Sequence, residues 1–409
     1  MIRPTSRQVL GVQTVRLTVA ASLSCLLSAA PQLLQAQAAT APSPVLLTGV
    51  QKSSLQDYRV VKVADGFVNP WAIAFLPSGD ILVTERPGRL RIVRRGALVA
   101  TPVAGVPAVV AAGQGGLLDV VVHPNFAQNQ FVYLTYSKQV TGGSTTALYR
   151  ARFVNDALVD GKDIFVAETR GRPGHFGSRV AFDKSGHLFM TVGDRQIPPE
   201  GDLTKHPAQD LSNHHGKVLR LMDDGSVPAD NPFVKQAGAK PEIWSYGHRN
   251  MQGLVVHPTT GDVWETEHGP QGGDELNLSQ AGKNYGWPVV GFGVNYGPGK
   301  AIHAGTMAPG MENAKNVWVP SIAVSGLLLY TGTRFPEWRN SLFVGGLAGM
   351  RLVRVTLDGQ KAEVADNLVK GQGRIRDVRQ GPDGLIYLAI DDQAGKPTPI
   401  VRLEPVVRK

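Results

Sequence analysis

The 409-residue chain is predicted to be an all-β protein, a six-bladed β-propeller. Three observations lead there. Six strand–turn–strand units recur along the sequence. Their starts lie roughly 45 to 75 residues apart, the range of a four-stranded blade with insertions. Between them runs no long helical period, while 47 glycines and 28 prolines supply turns for many short strands.

The units can be read in order. The first is "WAIAFLPSGDILVTE" from Trp71, followed by "LDVVVHPNFAQNQFVYLTY" from Leu118 and "SRVAFDKSGHLFMTVGD" from Ser178. Then come "QGLVVHPTTGDVWETE" from Gln252, "SGLLLYTGTRFPEWRNSLFVG" from Ser325 and "IRDVRQGPDGLIYLAI" from Ile375. Each is an apolar strand, a turn rich in Pro, Gly or Asp, and a second apolar strand, as buried strands require. A two-domain β-sandwich is the competing architecture, and six units argue against it. The longest insertions fall at about 195–250 and 268–325. In a propeller such loops build the site at one mouth of the channel.

The first 38 residues stand outside the repeat. They carry Arg3, Arg7 and Arg16 and no acid, then the apolar run "LTVAASLSCLLSAA", then "AQA" at 36–38. This is the pattern of a secretory signal with a small-x-small cleavage site. The organisation read from the sequence is therefore a signal at 1–38, a linker at 39–57 and a propeller over 58–409. Cleavage would remove Cys25, the one cysteine, and with it any disulfide, thiolate nucleophile or cysteine-bound metal. It would also lower the formal charge from +9 to about +6. The remaining basic residues are scattered without interleaved aromatics, which argues against nucleic acid. No stable membrane insertion is expected after cleavage.

His123, His257 and His187 sit at hairpin turns of three units and read as turn residues. Asp80, Asp262 and Asp383 adjoin turn glycines and read the same way. His175 differs, because it lies just before the first strand of the third unit. Asp194 follows the second strand of that unit. Antiparallel pairing brings the start of one strand beside the end of the next, so the two should meet. A carboxylate beside an imidazole fixes its tautomer, as a general base needs. A purely structural hydrogen bond is the alternative.

Polar side chains recur at equivalent strand entrances: Gln114, Arg249, Asn250, Arg374 and Arg376. Converging on one mouth, they suit a flat, polar, anionic ligand, with arginine forks for carboxylates. At the same mouth falls "EHGPQGGDELN", residues 267–277. Its glycines free the backbone to present carbonyls, and Pro270 holds Gly269 extended. Carbonyls and carboxylates suit Ca²⁺, although the EF-hand spacing is absent. Read alone, the stretch is either a cation loop or an elaborate turn.

The motifs "NPWAIAFLPSGDILVTER", "GQGGLLDVVVHP", "HFGSRVAFD", "VGDR", "NHHGKVLRL", "YGHRN", "EHGPQGGDELN", "GKNYGWP" and "RIRDV" occur in this order. Together they resemble the soluble, pyrroloquinoline quinone (PQQ)-dependent aldose and glucose/sorbosone dehydrogenases, over about residues 58–405. The resemblance implies calcium-requiring oxidation of an aldose to its lactone in the periplasm, with PQQ and Ca²⁺ as cofactors. It implies His175 as the base, Asp194 as its orienter and Arg249 as the stabiliser of charge on the quinone oxygen. Gln114, Asn250, Tyr296, Arg374 and Arg376 would hold PQQ, with Leu347, Ala348 and Gly349 as further contacts. Gly269 and Pro270 would give carbonyls to Ca²⁺, and Glu275 with the Tyr285 carbonyl would bind a calcium in the same loop. Ala348 stands where the family commonly has a lysine, with Arg351 nearby. The electron acceptor, a quinone or a cytochrome, is not identified by sequence. A calcium-dependent lactonase and a non-catalytic binding propeller remain as alternatives. The first would need Asn, Asp and Glu at strand entrances that here carry Gln, His and Arg.

Overall fold

The computed structural model describes residues 49–297 and 299–407, so the predicted signal segment lies outside the described residues. Six four-stranded antiparallel sheets are formed. Blade 1 comprises Pro70–Phe75, Ile81–Glu85, Arg89–Arg94 and Ala97–Leu98. Blade 2 comprises Leu117–Val122, Phe131–Val140, Gly143–Val154 and Ala157–Val166, and blade 3 Val180–Phe182, Leu188–Val192, Lys217–Leu221 and Ile243–Tyr246. Blade 4 is built from Met251–Val256, Val263–Glu267, Asp274–Ser279 and Asn316–Trp318, and blade 5 from Val324–Leu329, Leu342–Gly346, Arg351–Asp358 and Lys361–Leu368. Blade 6 joins Arg374–Gln380, Ile386–Asp391 and Pro397–Val406 to the N-terminal strand Asp57–Val68. That last pairing runs from Asp57 opposite Val406 to Val68 opposite Pro397, and it closes the ring. Each of the six sequence units supplies the first two strands of one blade.

The linker region before the propeller is partly described. Gln51 bridges to Tyr58, and Ser54 donates from its backbone and hydroxyl to Asp366 of blade 5. Among the described residues no helix is long and apolar enough to cross a membrane.

A repeated device holds neighbouring blades together. The register of the first hairpin slips near the start of the first strand in blades 1, 2, 4, 5 and 6. Such a bulge leaves a backbone N–H without a ladder partner. In blades 1 and 2 a threonine of the second strand satisfies it, and blade 3 uses the same threonine bond without a register slip. Thr84 accepts from Ala72 and donates to Leu118 O of blade 2, and Thr135 accepts from Asp119 and donates to Ser178 O at blade 3. Thr191 does the same between Arg179 and Met251 O of blade 4. One hydroxyl thus repairs its own blade and stitches the next.

The inner strands also meet in a buried ionic group. Arg179 Nη1 lies 2.9 Å from Asp377 and 3.2 Å from Asp119, with Trp71 stacked 4.2 Å from its guanidinium carbon. Arg379 bridges the same two aspartates at 2.9 and 2.7 Å. Blades 2, 3 and 6 are tied through these charges. Removing one member would leave a buried charge unpaired, at a cost of about 3–5 kcal/mol.

Candidate active site

The starts of first strands and the ends of second strands share one mouth of the ring, so their side chains converge. His175 is held there by its backbone as much as by its ring. Its φ is +46°, left-handed for a residue with a Cβ. Its N–H donates to Gln114 Oε1 at 2.8 Å, tying blade 3 to blade 2. Gly193 makes the approach of the two strand ends possible: a Cβ there would lie 2.2 Å from His175 O. The glycine of "VGDR" is therefore what lets Asp194 reach the imidazole.

His175 Nδ1 lies 2.6 Å from Asp194 Oδ1, as the order of strands predicted. Asp194 is fully engaged. Its Oδ1 also accepts from Gln196 N at 2.9 Å, and its Oδ2 accepts from the Trp287 indole at 2.8 Å. Burial opposes ionisation of Asp194, yet His175, Arg249 and the Gln196 N–H outweigh it and hold the carboxyl below its usual range. Burial, then the nearby Arg249 charge, lower the pKa of His175, and Asp194 only partly offsets them. The imidazole is therefore neutral at physiological pH. Its Nε2 makes no hydrogen bond to the described residues and is the atom left to take a proton.

Two cavities adjoin at this mouth, with Gln114 and His268 in the walls of both. The first, of about 450 Å³, is lined by His175, Asp194, Arg249, Trp287 and Tyr296. The second, of about 390 Å³, is lined by Gln114, Asn250, Leu347, Arg374 and Arg376, with Trp71 and Arg86. Tyr296, 65% exposed, belongs to the His175 cavity rather than to the arginine cavity. Ala348 and Gly349 line neither. Arg351 turns its Nε onto Gly349 O at 3.0 Å and stays away from both walls.

The arginine cavity fits a polyanionic planar group. Three guanidinium groups, those of Arg86, Arg374 and Arg376, match three carboxylates. Arg374 Nε is buried without a hydrogen-bond partner. Asp391, 3.7 Å from both Arg374 and Arg376, is the sole acid among those lining residues. Burial draws the Arg376 pKa down to about 10, a strain that a bound anion would relieve. Arg376 also donates to Gln252 Oε1 at 3.1 Å, and Gln252 donates to Asn250 Oδ1 at 3.2 Å. Arg249 lines the His175 cavity: Nη1 donates to His268 O and Gly269 O at 3.0 and 2.6 Å, and its guanidinium lies 5.2 Å from the Trp287 ring.

Beside Arg249 a void of about 20 Å³, room for one water or ion, is lined by Glu267, Gly269, Pro270, Glu275 and Tyr285. Burial and the neighbouring Glu267 push the Glu275 carboxyl up to about 8. Two carboxylates repelling each other beside carbonyls are a donor set that a hard cation suits.

Three residues at this mouth escaped sequence reasoning. Arg86 and Asp391 sit at or just after the ends of second strands, the position occupied by Asp194, and that rule applied to every blade would have found them. Trp287 comes from the insertion 93 residues beyond Asp194, and no periodic pattern announces it.

Comparison with known proteins agrees with this geometry. A family model described as "Glucose / Sorbosone dehydrogenase" matches residues 67–402. The aldose sugar dehydrogenase YliI of Escherichia coli is 42% identical over 345 residues, covering 83% of this chain and 91% of that protein. The crystal structure of the soluble aldose sugar dehydrogenase of E. coli in its apo form superimposes with a TM-score of 0.80 at 39% identity, covering 85% of this chain and 100% of the other. The PQQ-bound aldose sugar dehydrogenase of Streptomyces coelicolor gives 0.69 at 27% identity, covering 89% and 100%. A histidine–aspartate pair beside an arginine-lined cavity, on a propeller matched through all six blades, places the chain in the glucose/sorbosone dehydrogenase family of PQQ-dependent oxidoreductases.

Proposed function

We propose that the protein oxidises an aldose at its anomeric carbon to the lactone, with His175 as general base, PQQ as oxidant and calcium as a required ion. The observation that carries this is the single wall between the two cavities. It sets an imidazole with a free Nε2 next to a chamber built for a polyanion. Bound in that chamber, PQQ would supply the two-electron acceptor for the hydride from the sugar C1. His175 Nε2 takes the proton of the C1 hydroxyl. Asp194 holds the ring by Nδ1 and stabilises the imidazolium, a contribution of the order of 10²–10⁴-fold for a positioned base. Arg249 places positive charge in the wall of the His175 cavity, where it would stabilise charge developing on the acceptor oxygen without reorganising at the moment of reaction. Gln114, Asn250, Arg374 and Arg376 grip the anionic edges. The Gly269 and Pro270 carbonyls would hold Ca²⁺ at the cofactor, and Glu275 with the Tyr285 carbonyl a calcium in the same loop. Trp287 and Tyr296 line the sugar's side of the cavity.

Residues 1–38 would direct export to the periplasm, where a quinone or cytochrome would reoxidise the cofactor. The test is dye reduction by the cofactor-free protein on adding PQQ, Ca²⁺ and a panel of aldoses. Turnover that requires all three is expected. No turnover, and no quinone absorbance retained after gel filtration, would overturn the reading.

A further inference from the structure

Blade 4 carries a second set of acids that the oxidation above does not use. Glu265 and Glu267 alternate along Val263–Glu267 and therefore share one face of the sheet. Their cross-strand partners are Asn277 and Glu275, on the same face. His248, from the segment joining blades 3 and 4, lies over it. His248, Glu265 and Asn277 are 0% exposed and Glu267 4%. Among the described residues the ion-pair partner of Glu265 and Glu267 is His248 and no lysine or arginine side chain.

Hydrogen bonding accounts for only part of the group: Asn277 Nδ2 donates to Glu267 Oε1 at 3.0 Å and to Glu275 Oε2 at 3.1 Å. Neither oxygen of Glu265 has a partner, and neither does Asn277 Oδ1. His248 Nδ1 stands 3.4 Å from Glu267 Oε1 and 3.5 Å from Glu265 Oε1. Both are long for a hydrogen bond to a carboxylate. They match the edge of a tetrahedron of ligands each about 2.0–2.1 Å from a common ion. The three ligand atoms lie within 4.8 Å of one another. The other imidazole nitrogen is already placed: His248 Nε2 is 2.8 Å from Ser245 Oγ, which in turn meets Ser279 Oγ at 2.8 Å. Donation from Nε2–H leaves a lone pair on Nδ1, the tautomer a metal-binding histidine adopts.

We propose that His248 Nδ1, Glu265 and Glu267 hold a divalent transition-metal ion of the Zn²⁺ or Mn²⁺ class in the seam between blades 3 and 4, with Asn277 Oδ1 available as a fourth ligand. The imidazole favours this class over Ca²⁺, which takes oxygen ligands. The site shares Glu267 with the small void beside Glu275 and Tyr285, but takes His248 and Glu265 from one residue pair further along the strands. It is therefore a neighbour of the calcium expected at Glu275 and Tyr285, with a different ligand set. Its effect is to pin Glu267, whose Oε2 accepts the Arg249 backbone N–H at 2.6 Å. The ion thus braces the loop that carries the arginine lining the His175 cavity.

The inference is independent of the dehydrogenase reading and is tested without PQQ or sugar. Tag-free full-length protein is stripped with chelator and dialysed against excess Ca²⁺ with micromolar Zn²⁺ or Mn²⁺. Elemental analysis of the wild type should find about one equivalent of transition metal per chain. Glu265→Gln should lose that equivalent and keep its calcium. No retained transition metal in the wild type, or equal retention in the variant, overturns the proposal. Because Glu265→Gln could fail to fold, Co²⁺-loaded wild type gives a second readout. Visible ligand-field bands saturating at one equivalent support the site, and a spectrum identical to aqueous Co²⁺ overturns it. A protein that binds the metal yet reduces no dye would refute the oxidation alone.

Discussion

Blade 3 pairs a histidine with an aspartate at each end. At the hairpin end His187 Nδ1 lies 2.8 Å from Asp183 Oδ2, and at the mouth His175 Nδ1 lies 2.6 Å from Asp194 Oδ1. The groups are the same and the distances nearly so. What differs is what each partner has left to give. Asp183 spends Oδ1 on the N–H groups of Ser185 and His187, building the turn. Arg220 Nη2 approaches both nitrogens of the His187 ring at 3.2 Å. His175 keeps Nε2 open to a cavity, while Asp194 is locked by Trp287 from the far side of the insertion. A dyad becomes a base when its orienter is immobilised and its acceptor atom is free.

The sharpest way to break this comparison is His175→Ala. A loss of the order of 10²–10⁴-fold in kcat is expected, the range for a positioned base. Dye reduction at saturating PQQ checks it. A loss below tenfold would mean the two ends do not differ in kind.

Asp194→Asn comes next, because it keeps the shape and removes the charge that supports the imidazolium. We expect a fall of roughly 10²-fold in kcat, toward the lower end of that range. The pH profile gives the sign. Only neutral His175 accepts the proton, so kcat/KM rises as pH climbs through its pKa. Burial and Arg249 put that pKa below the ordinary 6.5, so the acid limb should lie on the acid side of pH 6.5. Asp194 raises the pKa, so deleting its charge should move the limb further to acid while lowering the plateau. A limb that shifts toward alkali would contradict the assignment.

The two ends also differ in how legible they were. Repetition made the propeller readable, since each unit carries its own pair of alternating or wholly apolar strands. Position in the repeat separated His175 from His187, and it aligned Asn250, Arg374 and Arg376 with Gln114. The N-terminal strand Asp57–Val68 was hidden because its partner, Pro397–Val406, lies more than 300 residues away. Trp287 was hidden for the same physical reason: its contact with Asp194 is non-local and its loop has no period. Tyr296 shows the converse. The family resemblance named it as a cofactor contact, but which of two adjoining cavities it lines depends on how the loop folds.

Trp287→Phe sharpens the comparison by unlocking only the orienter. The indole N–H to a buried carboxylate is a charge-assisted bond, worth about 1.5–3 kcal/mol. Part of that should reach catalysis as roughly a tenfold loss in kcat, with KM changing less. Trp287→His, which can restore an N–H donor, should recover some of it. Equal losses in both variants would assign the tryptophan to packing under Arg249 instead.

The smallest expected effect is the control that gives the others meaning. His187→Ala removes an imidazole whose side chain is 19% exposed and whose partner is 18% exposed. Losing such a hydrogen-bonded pair should cost about 1 kcal/mol or less. A small drop in Tm is expected, with kcat and KM changed by less than about twofold. Because the blade's second strand, Leu188–Val192, runs directly from this turn toward Asp194, a catalytic defect in His187→Ala would show that the strand transmits strain from one end to the other. An unaltered kcat would show that the two dyads are mechanically separate, and that the chemistry of blade 3 is confined to the end where an imidazole nitrogen is left unpaired.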